Sequence, residues 1–248
     1  MKFQAMTDVG RKRATNQDAF CCARLANGVE FMVICDGMGG HRGGNLASEL
    51  AVRELGDFFS RRLTPNLRPR DLKGLLSRAV FEVSSLIEAV AGESEAFRGM
   101  GSTVVLAVRC GKKLAIAHVG DSRLYLWRGG ILQRLTKDHS LVQSLIDRGE
   151  ITPEEGETHP HRNVITKALG SAVDSDPVIA FCDVREKDLF LLCSDGLTVP
   201  LRDGEISEII QNTPFESLVE TLISRALAAG GPDNVTVGVL YEEEKAGK

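Results

Sequence analysis

Apolar residues along the chain fall into two kinds of stretch. Short, mainly apolar runs at 31–35, 104–108, 114–119, 189–193 and 235–240 are each bounded by polar residues or glycine. Runs of this length predict buried strands. The stretch 102–127 reads as consecutive strands joined through Cys110-Gly111-Lys112, a hairpin-type connection. Longer stretches repeat their apolar residues at helical spacing. Leu46, Leu50, Leu55, Phe58 and Phe59 fall near one face over 45–63, as do Leu72, Leu75, Leu76, Val80, Val83, Leu86, Ile87 and Val90 over 69–90. Pro69-Arg70-Asp71 suits the start of the second helix. Further helices are expected at 140–148 and 215–229. Strand blocks next to strand blocks, with helices in pairs, favour an α+β layered architecture over an alternating parallel sheet. With no linker-like segment and no repeat, the expectation is one domain spanning 1–248.

Composition narrows the class. Of 248 residues, 43% are hydrophobic and 26% charged, which fits a folded globular chain and rules out wholesale disorder. A net charge of −4 argues against a nucleic-acid module working through a basic face. No apolar run is long enough to span a membrane, and the start Met1-Lys2-Phe3-Gln4-Ala5 has no signal-peptide character. The 6 cysteines (21, 22, 35, 110, 182, 193) lack paired metal-ligand spacing and read as reduced, structural thiols of a cytoplasmic protein.

The placement of aspartates carries the chemistry. Asp36 and Asp195 each follow an apolar run and each precede glycine. An acid at the mouth of a buried strand is costly unless a positive partner meets it. Asp121 follows the run 114–119, Asp233 stands just before 235–240, and Asp18 precedes another plausible strand. One Asp-Gly alone reads as a turn, and Asp203-Gly204 is taken as such. Several acids at strand ends, with no cysteine or histidine set beside them, suit hard cations with oxygen ligands, Mg²⁺ or Mn²⁺.

These residues resemble the metal-dependent serine/threonine protein phosphatases of type 2C, in their compact bacterial form. The resemblance runs from about Thr7 to Leu240, with the motifs in family order. They are Thr7-Asp8-Val9-Gly10 with Arg13, Asn16-Gln17-Asp18, Cys35-Asp36-Gly37-Met38-Gly39-Gly40-His41, and Gly99-Met100-Gly101-Ser102-Thr103. Then follow Gly120-Asp121-Ser122-Arg123, Leu135-Thr136-Lys137-Asp138-His139-Ser140, Ser194-Asp195-Gly196 and Gly231-Pro232-Asp233-Asn234-Val235-Thr236. The resemblance implies a four-layer α-β-β-α sandwich, two central antiparallel sheets between helices. It implies two Mn²⁺ or Mg²⁺ ions at one end, with a third in bacterial relatives. Asp36 would bridge the pair, the Gly37 carbonyl would bind one ion, and Asp195 and Asp233 would complete the other site. Asp18 would act nearby or through water, and Asp121, sharing Asp195, matches the third ion. A water or hydroxide between the ions would attack phosphorus without a phosphoenzyme intermediate. Arg13 matches the arginine that clamps phosphate, and His41 is the candidate acid for the leaving oxygen.

The segment 141–175 corresponds to the family's flap, with a polar, turn-rich middle over 149–161. His159 and His161 within it read as solvent-facing loop residues rather than ligands. Departures from the family pattern are Gln17 where many relatives carry Glu, His118 where Asn is expected, Asn45 in place of an acid, and Val199-Pro200. None removes a principal ligand. A silent module on the same fold would usually have lost a bridging acid, whereas Asp36, Asp195 and Asp233 are all present. Small phosphate esters or phosphotyrosine stay open as substrates. Phosphorylated proteins, and a serine/threonine kinase acting in opposition, are the implied partners, with neither nucleic acid nor membrane among them.

Overall fold

The computed structural model describes residues 1–170 and 175–244, without the side chains of residues 41 and 42. Two antiparallel sheets stack face to face. One has the order β1 (Lys2–Asp8), β11 (Val235–Tyr241), β10 (Leu189–Cys193), β7 (Arg123–Arg128), β8 (Ile131–Arg134). The other runs β2 (Asp18–Arg24), β3 (Glu30–Met38), β5 (Val104–Cys110), β6 (Lys113–Val119), β9 (Val178–Asp183), and the short β4 (Gly101–Ser102) pairs with the end of β3. Helices cover both outer faces, giving the expected α-β-β-α sandwich.

The apolar runs follow from this layering. Met32 and Ile34 of β3 face the other sheet, packing with Phe190 and Leu192 of β10. Their neighbours Phe31, Val33 and Cys35 face Leu55, Phe59 and Leu76 of α1 (Gly40–Arg62) and α2 (Pro69–Glu93). Leu189, Leu191 and Cys193 of β10 likewise face Ile206 of α6 (Asp203–Asn212) and Leu222 of α7 (Phe215–Ala228). Strands covered on both faces need no polar alternation.

Element ends differ from the reading above in physically telling places. The first helix starts at Gly40 rather than at 45, because the glycine-rich stretch before Asn45 scores poorly for helix and hides its first turn. Asp203-Gly204 is not a turn but the opening of α6. The Arg202 N–H donates to the Glu205 carboxylate at 2.9 Å, and acids in a first turn suit the helix dipole. Within the flap, α3 (Leu141–Asp147) matches its expected position, and α4 (Pro153–Glu157) interrupts the polar middle behind a Thr152–Glu155 capping box. The end of the flap, 171–174, lies outside the described residues. All six thiols are free.

The two ends of β3 have opposite surroundings. Glu30 at its start is buried and accepts from the Met1 amine at 3.0 Å, Arg24 at 2.8 Å and Arg109 at 3.1 Å. Burial alone would raise its carboxyl; the three cationic donors outweigh that and hold it below the ordinary range. At the other end lies Asp36.

Candidate active site

The acids meet where strands of both sheets end. Asp18, the first residue of β2, stands directly opposite Asp36 in the antiparallel register. Asp121 follows β6, Asp195 begins α5 (Asp195–Thr198) straight after β10, and Asp233 precedes β11. Stacking the sheets therefore brings carboxylates from remote parts of the chain to one edge. Asp36, Asp121, Asp195 and Asp233 line a single open cleft of about 390 Å³, together with Arg13 and Gly37. Asp18 does not line it but is buried beside it, 7% exposed.

The glycines that follow two of these acids, Asp36 and Asp195, have a steric reason. A Cβ on Gly37 would overlap the Gly44 carbonyl, and one on Gly196 would overlap the Asn234 carbonyl. Each acid is thus followed at once by a close backbone crossing that only glycine admits.

Crowding of like charges dominates the electrostatics. Burial, then Asp18, Asp195 and Asp121, push Asp36 well above the carboxylate range. Burial raises Asp195 to about 7, with Asp121 and Asp233 adding to it. Burial also lifts Asp121 to about 6, helped by Asp138. Asp18 reaches about 7 through burial, although hydroxyl donors from Ser194 and Thr236 pull the other way. Among the described residues, Asp18 Oδ1 and Asp195 Oδ1 are buried with no hydrogen-bond partner. Buried anionic oxygens without donors are what a hard cation satisfies, so the residues fit a divalent ion. Among the described residues, no three His, Cys, Asp or Glu side chains close around a point tightly enough to hold an ion unaided. Ions that keep water and carbonyl ligands need only one or two carboxylates each.

Arg13 stands at the rim, its Nη2 donating to Asp233 Oδ2 at 2.7 Å. That bond, first among the influences on it, keeps the guanidinium charged. His41 falls in the first turn of α1, and its side chain lies outside the described residues. From the flap, Asn163 and Ile165 join the cleft wall. Backbone pairing of Ser140 with Ile165 and of Ser102 with Leu169 fixes this part of the flap at both ends. The His159 ring accepts from the His161 backbone N–H at 3.1 Å, both side chains lying outside the cleft lining. Gln17 lines the cleft and acts on the backbone, donating to the Gly40 carbonyl at 2.7 Å and so holding the start of α1. His118, given no role above, is buried, bonds the Lys137 carbonyl at 2.8 Å and stacks on His139.

Other contributors were not singled out from sequence. Asn234 donates to the carbonyls of Val9 (2.8 Å) and Thr15 (3.0 Å) and accepts from Gln17 N (2.8 Å), clasping the loop that carries Arg13. Thr103 Oγ1 accepts from Asp36 N at 3.0 Å and pairs with Ser122 Oγ at 2.7 Å. Both sit inside the quoted motifs, but a hydrogen-bonding role leaves no mark in spacing.

Comparison with known proteins gives a consistent result. A family model described as protein phosphatase 2C matches residues 9–236. Protein phosphatase PhpP of Streptococcus pneumoniae is 37% identical over 246 residues, covering 99% of each chain. The serine/threonine phosphatase of S. agalactiae superposes with a TM-score of 0.91 at 34% identity, covering 98% of this chain and 99% of that one. The catalytic domain of the serine/threonine phosphatase PstP, solved in complex with 2 manganese ions, gives 0.82 at 37% identity over 96% of both chains.

Proposed function

The chain belongs to the protein phosphatase 2C family and is a protein-serine/threonine phosphatase, and from that premise we propose how its own residues carry the reaction. Asp36, with the Gly37 carbonyl, Asp195 and Asp233, holds two Mn²⁺ or Mg²⁺ ions; Asp121 with Asp195 takes a third, and Asp18 supports the set. Bound there, such ions supply an activated water at neutral pH and neutralise phosphoryl charge. Arg13 orients the phosphoryl group through its planar fork, and Asp233 keeps that fork aimed at the cleft. His41 hands a proton to the departing serine or threonine oxygen. Hydrolysis is direct, with no phosphoenzyme, and the whole chain works as one catalytic unit on phosphoproteins made by an opposing serine/threonine kinase.

The observation that carries this reading is the convergence of four acids, Arg13 and Gly37 on one cleft. Turnover of a phosphothreonine peptide with and without added Mn²⁺ tests it. Asp36→Asn should lower kcat/KM by at least ~10²-fold, beyond what loss of a supporting residue costs, while the circular dichroism spectrum stays native. Full turnover in chelator, or an unimpaired Asp36→Asn enzyme, rejects the proposal.

A further inference from the structure

Asp18 is held by a chain of hydrogen bonds whose direction can be worked out donor by donor. Its Oδ2 receives two hydroxyls, Ser194 Oγ at 2.6 Å and Thr236 Oγ1 at 2.7 Å. Thr236 lies in β11 and Ser194 directly follows β10, both strands of the sheet that Asp18 does not belong to. A hydroxyl has one hydrogen. Thr236 gives its hydrogen to Asp18, so at its 2.7 Å contact with Thr7 Oγ1 it accepts. Thr7 in turn spends its hydrogen on Thr236 and accepts from Asn16 Nδ2 at 2.8 Å. Ser194 spends its hydrogen on Asp18 and accepts from the Thr236 backbone N–H at 3.0 Å. Each hydroxyl hydrogen in the run from Thr7 through Thr236 to Asp18 is thereby committed, and Ser194 closes it from the other side.

The consequence is an asymmetric carboxylate. Oδ2 is saturated by two hydroxyls, whereas Oδ1, equally buried, has no partner. Ser194 and Thr236 are both 0% exposed, so water does not compete for these bonds. Like charges from Asp195 and Asp233 surround the group. A carboxyl free to rotate would alternate its two oxygens between the hydroxyls and the acid cluster; two donors on one oxygen stop that rotation.

We propose that Thr236 and Ser194 are positioning residues that lock Asp18 with Oδ1 presented to the divalent-cation site and Oδ2 turned away from it. The proposal rests on the cation-dependent reading of the cleft. The hydroxyl pair serves the site from the second sheet, so the sheets must stay in register for Asp18 to be useful. Partners that orient a ligand without touching the ion are typically worth 10–100-fold in metal affinity or activity.

The test is Mn²⁺ affinity of the full chain, measured by calorimetry and by electron paramagnetic resonance of free Mn²⁺, alongside phosphopeptide kinetics. Thr236→Val, matched in shape, should weaken Mn²⁺ binding about 10-fold, and Thr236→Ser should restore it to within about 2-fold. Ser194→Ala should do the same from the other side and serves if Thr236→Val does not fold. In an Asp18→Asn background the Thr236→Val loss should vanish, because residues acting through one group are not additive. A hydroxyl pair that merely glues the sheets would lower the melting temperature and leave Mn²⁺ affinity unmoved. Folded Thr236→Val and Ser194→Ala proteins with wild-type Mn²⁺ affinity overturn the proposal alone. A wild-type protein that binds no Mn²⁺ overturns it together with the cation-dependent reading.

Discussion

Asp36 and Asp195 are each chained to the glycine that follows, and the reason is the backbone rather than the carboxylate. At Gly196 the Asn234 carbonyl occupies the space a Cβ would need, and Asn234 is itself the clasp on the loop carrying Arg13. Gly196→Ala should therefore push Asn234 and its neighbour Asp233 together, costing about 1–3 kcal/mol as overpacking does. Thermal unfolding and phosphopeptide turnover should both fall, and a variant of unchanged melting temperature would contradict the steric account. At this scale the acids and their glycines were legible from sequence, because a charge at the end of an apolar run is conspicuous. Thr236, Ser194, Thr103 and Asn234 were not. Their worth lies in which atom each hydroxyl or amide reaches across the two sheets, and that distance exists only once the sheets have stacked.

Among the elements, legibility followed burial. β3, β5, β6, β10 and β11 stood out as apolar runs since both of their faces are covered. β1 and β9, at sheet edges and partly exposed, carry mixed sequences and did not stand out. The cleft-facing part of 141–175 was not legible: nothing in that stretch singles out Asn163 and Ile165. They reach the cleft because pairing at Ser140–Ile165 and Ser102–Leu169 holds that stretch between the Asp121 side and the Asp36 side. Asn163→Ala and Ile165→Ala should each raise KM for a phosphopeptide roughly 3–10-fold, the loss of about 1 kcal/mol of contact. Hydrolysis of a small aryl phosphate should change less. Equal effects on both substrates would place these residues in the chemistry instead of in peptide recognition.

For the whole molecule, the acid cluster makes stability depend on pH and cations together. Asp18 and Asp195 sit near 7 when folded, well above an ordinary aspartate. A raised folded value means their contribution is fully present below the ordinary carboxylate range and is lost as pH rises towards 7 and past it. Divalent ions favour the ionised form and reverse that loss. Added Mn²⁺ should raise the melting temperature by several degrees more at pH 8 than at pH 5.5, read by differential scanning fluorimetry. A shift of equal size at both pH values would show that the buried carboxyls are not what the ion relieves.

β3 joins two clusters with opposite appetites for protons. Glu30, kept below the ordinary glutamate range by cationic neighbours, contributes stability above that range and surrenders it as the solution becomes strongly acidic. Asp36 and its companions lose theirs in the alkaline direction. The strand therefore has an acid-labile heel and a base-labile toe, and the sandwich should come apart from contrary ends on the two sides of neutrality. On the proposed reading a cation seated at the toe would mend only one of them, so the ion that readies the enzyme for work would also set which end of the molecule is left as its weaker seam.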